Sequence, residues 1–399
     1  MKRRQFIYSL SGFALAAAGD PLAGENRTGS NTGRSPGEMG YRLLGKTGLR
    51  ISEVSLGGSP VPDEPVFRLA MERGVNYVDT SSSYMNGNSE RLIGRYIRDR
   101  RDRFIVATKF HPGRRHRDAP GLIGEVEGSL KRLKTDYIDI LMVHGARDAD
   151  ILEADYVLEA FEGLKKQGKI RFTGVSCHRD PVGVLLPAIN SGLYDMITLA
   201  YNAYSGTRVE QGRVYPDYLE ESGIDTVLAA AARKRVGVVA MKVMAGGERQ
   251  DLARFFSGGK SLAQAKIKWV LRDRRVSGII SEMLSFAHLE ENLAAAGQPL
   301  SFHERFRLKN NVRRYSAEYC RMCGACEAVC SRSIPIADIL RYRLYYSGYR
   351  KSGSARSAYG RLPRDINAAA CLDCGACESR CPYGVAIRAN LREAHRLLA

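Results

Sequence analysis

Eight of the nine cysteines in this 399-residue chain stand in two runs, CRMCGACEAVC and CLDCGACESRC. Each has the spacing C-x2-C-x2-C-x3-C, with Cys320, Cys323, Cys326 and Cys330 in the first and Cys371, Cys374, Cys377 and Cys381 in the second. The inner C-G-A-C-E is common to both, so the runs are an internal repeat offset by 51 residues. Gaps of two residues gather three thiolates around one small loop, which suits the corners of an iron–sulfur cube better than crosslinks that span a domain. Four-cysteine zinc sites usually pair two separated knuckles, so three cysteines in quick succession are uncommon there. Two [4Fe-4S] clusters are therefore expected, with zinc or disulfides as the alternatives.

A second set of chemically capable side chains emerges once the first three hundred residues are divided into elements. Short β-branched runs occur at EVSLGG (53–58), VNYVDTS (75–81), FIVATKF (104–110), IDILMVH (138–144), RFTGVS (171–176), MITLAYN (196–202), VGVVAMKV (236–243) and VSGIIS (276–281). Stretches such as SERLIGRYIRDR and LIGEVEGSLKRL lie between them, with apolar residues every three or four positions. Eight strands alternating with helices is the count of a (β/α)8 TIM barrel, an α/β fold. A doubly wound sheet that binds a dinucleotide would need G-x-G-x-x-G after its first strand, and the chain has none there. Chemistry in a TIM barrel sits at the C-terminal ends of the strands. Those ends hold Asp79, Tyr84 five residues on, Lys109 and His144. Singly they could be a helix cap, a core histidine or a surface lysine; at successive strand ends they read as one site.

In order, these four residues resemble the Asp-Tyr-Lys-His tetrad of aldo/keto reductases. The resemblance extends over residues 41–297 through YRLLGKTGLRISEVSLGG, DTSSSY, GVSCH, WVLRDRRVSGII and LEENL. It implies an oxidoreductase that interconverts a small-molecule carbonyl and an alcohol. Tyr84 would be the general acid/base, Lys109 and Asp79 the pair that tunes it, and His144 the group that orients the substrate oxygen. For a nicotinamide, NADP(H) or NAD(H), the resemblance points to Ser176, Gly246, Gly247 and Asn292. Other cofactor positions depart from the family: Cys177 replaces an asparagine, Thr198 a glutamine and Met241 an aromatic ring, while Glu282 and His288 stand near the adenosine phosphate. Cys177 is expected to be a small buried residue. PGRRHRD after the third strand, with Arg114, Arg115, His116 and Arg117, reads as a solvated loop or a selector of anionic substrates.

The cysteine runs match the bacterial ferredoxin pattern, most closely at Cys381-Pro382. In two-cluster ferredoxins the fourth cysteine of each run ligates the other cube. On that pattern Cys320, Cys323, Cys326 and Cys381 hold one cluster, and Cys371, Cys374, Cys377 and Cys330 the other. Between the runs, IPIADILRYRLYYSGY places Ile336, Ile339, Leu340 and Leu344 on one helical face, and SGSARSAYGRLP reads as a loop. A small, mainly helical ferredoxin-like module follows the barrel. From residue 301 onward the chain carries 18 Lys plus Arg against 8 Asp plus Glu, part of a formal net charge of +18. Arginines that offset cluster charge explain this better than a nucleic-acid surface, for which no recognition motif is present.

MKRRQFIYSLSGFALAAA at the start has a charged region, a modest apolar run too short to span a bilayer, and small residues for cleavage. Arg3 and Arg4 resemble a twin-arginine signal, a route for proteins already folded. The expected layout is a signal over 1–24, a flexible linker over 25–40, the barrel over 41–298 and the cluster module over 299–399. Its partners would be the twin-arginine export machinery and a redox protein or carrier. The mature chain would work in the periplasm or on the outer face of the cytoplasmic membrane, without a transmembrane anchor or nucleic acid.

Overall fold

The computed structural model describes residues 38–113, 116–217, 223–245 and 261–399. The signal at 1–24 and all but the last three residues of the 25–40 linker lie outside them. The strands are β1 (Tyr41–Leu43), β2 (Arg50–Ser52), β3 (Val54–Gly57), β4 (Tyr77–Asp79), β5 (Ile105–Phe110), β6 (Ile138–Ala146), β7 (Ile170–Cys177), β8 (Met196–Ala200), β9 (Thr207–Glu210), β10 (Arg213–Pro216), β11 (Gly237–Met241) and β12 (Gly278–Ser281). Among the described residues, β11-β12-β3-β4-β5-β6-β7-β8 close in that order into a barrel whose neighbouring strands are parallel. Each of the eight expected runs contributes one barrel strand.

Period-two alternation decides what the barrel interior contains. Tyr77, Ala107, Ile140, Met142, Met196 and Val239 pack there, and the antiparallel β1–β2 hairpin closes one end with Leu44 and Ile51, both fully buried. Advancing two residues along β4, β5 and β6 turns the next side chains to the same face. Those side chains are Asp79, Lys109 and His144. The helices cover the outside through their own apolar stripes. The helix Ala119–Leu133, for example, is capped by Asp118 accepting from the Gly121 amide and buries Leu122, Val126, Leu130 and Leu133.

Beyond the barrel, the helix Phe302–Tyr315 opens with a Ser301/Glu304 capping box and lies on the barrel core through Leu308 and Val312. Its Glu304 also accepts from buried Lys268 at 2.7 Å. Helices Ile336–Ser347, Ser352–Gly360 and Ile387–Leu398 then enclose a second core around Ile339, Leu340, Tyr359 and Leu391. The stretch expected to loop, SGSARSAYGRLP, is thus largely helical. Ala355 and Tyr359, four residues apart, are buried in that core, and this packing overrides the weak helix propensity of Gly and Ser. The β9–β10 hairpin was also unanticipated; its turn places Gln211 and Gly212 at positive φ, as a two-residue hairpin turn requires.

Candidate active site and cluster sites

All four residues of the expected tetrad line one cavity of about 560 Å³ at the C-terminal rim of the barrel. Lys109 and Asp79 are both buried and form an ion pair, and the Lys109 ammonium also donates to the Thr80 carbonyl at 2.7 Å. Tyr84 begins a short turn, Tyr84–Gly87, in which Met85, Asn86 and Gly87 all have positive φ. Glycine suits that conformation and Met85 does not, so the turn holds strain beside the tyrosine. Its ring meets His144 edge-on at 5.4 Å, and Lys109 Nζ lies 5.0 Å from the ring centre. His144 Nδ1 pairs with Ser81 Oγ at 2.9 Å, which orients the imidazole. Burial, then the charge of Asp79, pushes the Tyr84 phenol well above its usual range. The lysine that Asp79 holds lies beside the Tyr84 ring, the pairing that the resemblance implies.

Sequence reasoning missed His111 and His178. His111 stacks on His144 at 4.3 Å, and His178 lies 6.2 Å from it. Both immediately follow barrel strands, so the rule that found His144 could have found them. The larger omission is the stretch between the cysteine runs. Tyr345, Tyr349, Lys351 and Ser354 line the same cavity, so the C-terminal region supplies a wall of the barrel's site.

The cysteines divide between two small pockets in the crossed grouping. One pocket is lined by Cys320, Cys323, Cys326 and Cys381, the other by Cys330, Cys371, Cys374 and Cys377. Among the described residues no three His, Cys, Asp or Glu side chains are placed closely enough to hold one metal ion together. A cube, whose thiolates bind separate irons, needs wider spacing than tetrahedral zinc. Burial pushes the Cys320 and Cys326 thiols up to about 12, and a bound metal would favour their thiolates. The internal repeat is visible in the backbone. Met322 and Asp373 have φ of 59° and 56°, and Gly324 and Gly375 have 78° and 79°. In each half the glutamate of C-G-A-C-E accepts from the first turn of the next helix: Glu327 from Ala337 N at 2.8 Å, Glu378 from Arg388 N at 2.9 Å. Arg388 also pairs with Glu378, whereas Arg179, just after β7, pairs with Glu327. The barrel thus supplies to the first half an arginine that the second half supplies for itself.

Residues 59–309 match the aldo/keto reductase family. The chain belongs to that family. Residues 315–385 match a 4Fe-4S dicluster domain. An uncharacterized oxidoreductase of Bacillus subtilis is 29% identical over 285 residues, covering 65% of this chain and 91% of that protein. An L-galactose dehydrogenase of Arabidopsis thaliana is 28% identical over 64% of this chain and 87% of its own length. A solved structure of a putative aldo-keto reductase from Pseudomonas aeruginosa is similar with a TM-score of 0.51 and 28% identity, covering 65% of this chain and 95% of that one. This aldo/keto reductase therefore combines the (β/α)8 barrel with a helical dicluster domain.

Of the residues expected at a nicotinamide, Ser176 and Asn292 are described, and Asn292 lines the cavity. Ser176 Oγ is buried beside β6 without a partner, an orphan that a carboxamide could satisfy. The Asn292 amide, however, donates to Ser281 Oγ at 2.8 Å. Thr198 and Met241 line the cavity, while Gly246, Gly247, Arg114 and Arg115 lie outside the described residues. At the far end Glu282 forms an ion pair with Lys351 at 2.6 Å. Cys177 is a small buried residue, as expected; its thiol donates to the Arg179 carbonyl, and burial pushes it up to about 12.

Proposed function

We propose that the protein is an exported iron–sulfur oxidoreductase that interconverts a carbonyl and an alcohol in the barrel and exchanges electrons through two [4Fe-4S] clusters. The observation that carries this reading is the shared cavity, in which the tetrad faces Tyr345, Tyr349 and Lys351 of the dicluster domain. Iron–sulfur cubes supply electrons singly, so two cubes match the two electrons of carbonyl reduction.

The chain's own residues manage position and protons. His144, held by Ser81, orients the substrate oxygen. Tyr84, kept protonated by burial, donates as negative charge develops on that oxygen, and the Lys109 ammonium 5.0 Å from its ring stabilises the phenolate left behind. Alcohol oxidation reverses these roles.

Burial and contacts support an order for the two cluster sites. The Cys320 site adjoins the barrel: Asp180 N donates to Met322 O at 2.8 Å, and Asn202 donates both to the Tyr319 hydroxyl and to the Lys242 carbonyl. In the other site Cys374 and Leu372 are exposed. Electrons from a redox partner would enter there and pass inward. Replacing Arg3 and Arg4 by lysines should strand the precursor in the cytoplasm; processed protein in the periplasm of that double mutant would defeat the export reading.

To test the reaction, the anaerobically purified protein is given aldehydes, ketones and 2-oxo acids with reduced methyl viologen or a nicotinamide as donor. Tyr84→Phe should lower turnover by about 10²-fold or more. A Tyr84→Phe protein equal to wild type, with clusters that still cycle, would instead indicate an electron-transfer or interaction subunit whose barrel no longer turns over.

A further inference from the structure

The helical insert between the cysteine runs is fastened to the barrel rim at two points. Toward one end of its first helix, Asp338 pairs with Arg147 beyond β6 at 3.0 Å and with Arg179 beyond β7 at 3.9 Å. At the other end, Lys351 pairs with Glu282 beyond β12 and donates to the Ser59 carbonyl beyond β3. Asp338, Arg341 and Tyr345 follow helical spacing on one face, so clasps on either side of Tyr345 hold it over the cavity. There its hydroxyl accepts from Lys242 Nζ at 3.1 Å, with the ammonium 4.9 Å from its ring. Lys242 itself sits just beyond β11 with φ of 56°, and its carbonyl is held by Asn202 at 3.1 Å. The groups that bear on Tyr345 are Lys242, Arg341 and Lys351, with Tyr84 across the cavity, Tyr319 near enough to feel its charge and the Tyr349 ring edge-on at 5.8 Å. Burial raises the Tyr345 phenol, but Lys242 and Arg341, followed by Lys351, outweigh it and hold the phenol below its usual range. Tyr84 is shifted the other way. A tyrosine–lysine hydrogen bond therefore lies on the cavity wall opposite the tetrad, at Tyr345.

A count of protons says what a second acid would be for. Reducing a carbonyl to an alcohol takes two electrons and two protons, one proton ending on oxygen and one on carbon. A hydride donor brings the carbon-bound hydrogen with its electrons, so one acid suffices. Single electrons bring none, so two acids are needed.

We propose that Tyr345, carried into the barrel by the dicluster domain, is a second catalytic acid, with Lys242 as its positioning residue. This rests on the carbonyl–alcohol reading above. The clusters, when bound, would supply the two electrons, one each; Tyr84 protonates the substrate oxygen, Tyr345 forms the new C–H bond by proton transfer to carbon, and both phenolates recover protons from solvent. Lys109 and Lys242 stabilise the respective phenolates until then. The domain that supplies electrons without hydrogen also supplies the missing proton donor.

The test uses the full-length, cluster-loaded protein as wild type, Tyr345→Phe, Lys242→Met and Tyr84→Phe. Ultraviolet difference titration of wild type against Tyr345→Phe should show one phenol ionising below the ordinary tyrosine value of about 10, and Lys242→Met should move it upward. In deuterated water, with reduced methyl viologen as donor and aldehydes, ketones and 2-oxo acids as probes, wild type should place solvent deuterium on the product carbon. Tyr345→Phe should slow that reaction by about 10²-fold or more with cluster paramagnetic resonance unchanged, and should slow a NADPH-driven reaction less. A phenol titrating at or above about 10 overturns the proposal. So does a Tyr345→Phe protein as fast as wild type while Tyr84→Phe is slow, and that pattern leaves the carbonyl reading standing. Wild type inactive with every probe and donor overturns both.

Discussion

Lys109 and Asp79 are a buried pair whose value lies in remaining paired. Asp79 Oδ2 already has no partner, and Lys109→Met would leave the whole carboxylate without its cation. Removing one member of such a pair costs about 3–5 kcal/mol, whereas Tyr84→Phe, which keeps the ring against His144, should cost about 1 kcal/mol or less. Urea denaturation of the two variants compares them; equal midpoints would mean that the pair is not ionised. His178 provides a pH signature of opposite origin. Burial, then the positive charges of Lys242 and Arg341, holds its imidazole well below the usual range, and its Nδ1 is buried without a partner. The folded state therefore keeps His178 neutral while the unfolded state takes up a proton near pH ~6.5, so stability falls as pH drops below that value. His178→Gln should flatten the dependence of melting temperature on pH between about 6.5 and 5. A slope unchanged by the substitution would show that the histidine titrates normally when folded.

At the scale of elements, the insert Ile336–Ser347 and Ser352–Gly360 belongs to the dicluster domain by sequence and to the active site by position. Its docking depends on a few charged contacts at its ends and on Leu344, which packs against the barrel core. Asp338→Asn combined with Lys351→Met should therefore loosen the insert without emptying the cluster sites. Hydrogen exchange should accelerate across 336–360 while iron content stays constant. Loss of iron in the double variant would mean that docking and cluster assembly are one event. The insert also shows where sequence reading ended. The face Ile336, Ile339 and Leu340 was legible from its spacing, but Tyr345 reads there as one tyrosine among several. What distinguishes it is Lys242, which lies on another element more than a hundred residues away.

For the molecule as a whole, the crossed grouping of the cysteines around two pockets joins the two runs into one unit. Metal analysis should find about eight irons per chain, and zinc in their place would reject the cluster reading. Cys381→Ser should perturb the same paramagnetic signal as Cys320→Ser and leave that shared by Cys330→Ser and Cys371→Ser. Cys381→Ser grouping with Cys371→Ser would mean that each run closes on itself. Since the barrel's interior core contains none of these cysteines, the cavity with Asp79, Tyr84, Lys109 and His144 should stay folded in every such variant.

The chain's order alone determined the eight strands, the tetrad at their ends, the repeated C-x2-C-x2-C-x3-C and the helical face of the insert. Each is a short-range property: alternation by two along a strand, three or four along a helix, or a few residues around a loop, so neighbours in sequence carry the whole signal. Tertiary structure alone decided which residues face the tetrad from outside the barrel, why SGSARSAYGRLP is helical, and why Tyr84 and Tyr345 are pushed in opposite directions. Those outcomes depend on burial and on charges from other elements. A phenol's acidity responds to whichever ammonium or carboxylate the fold places within a few ångströms of it, and sequence separation carries no record of that distance.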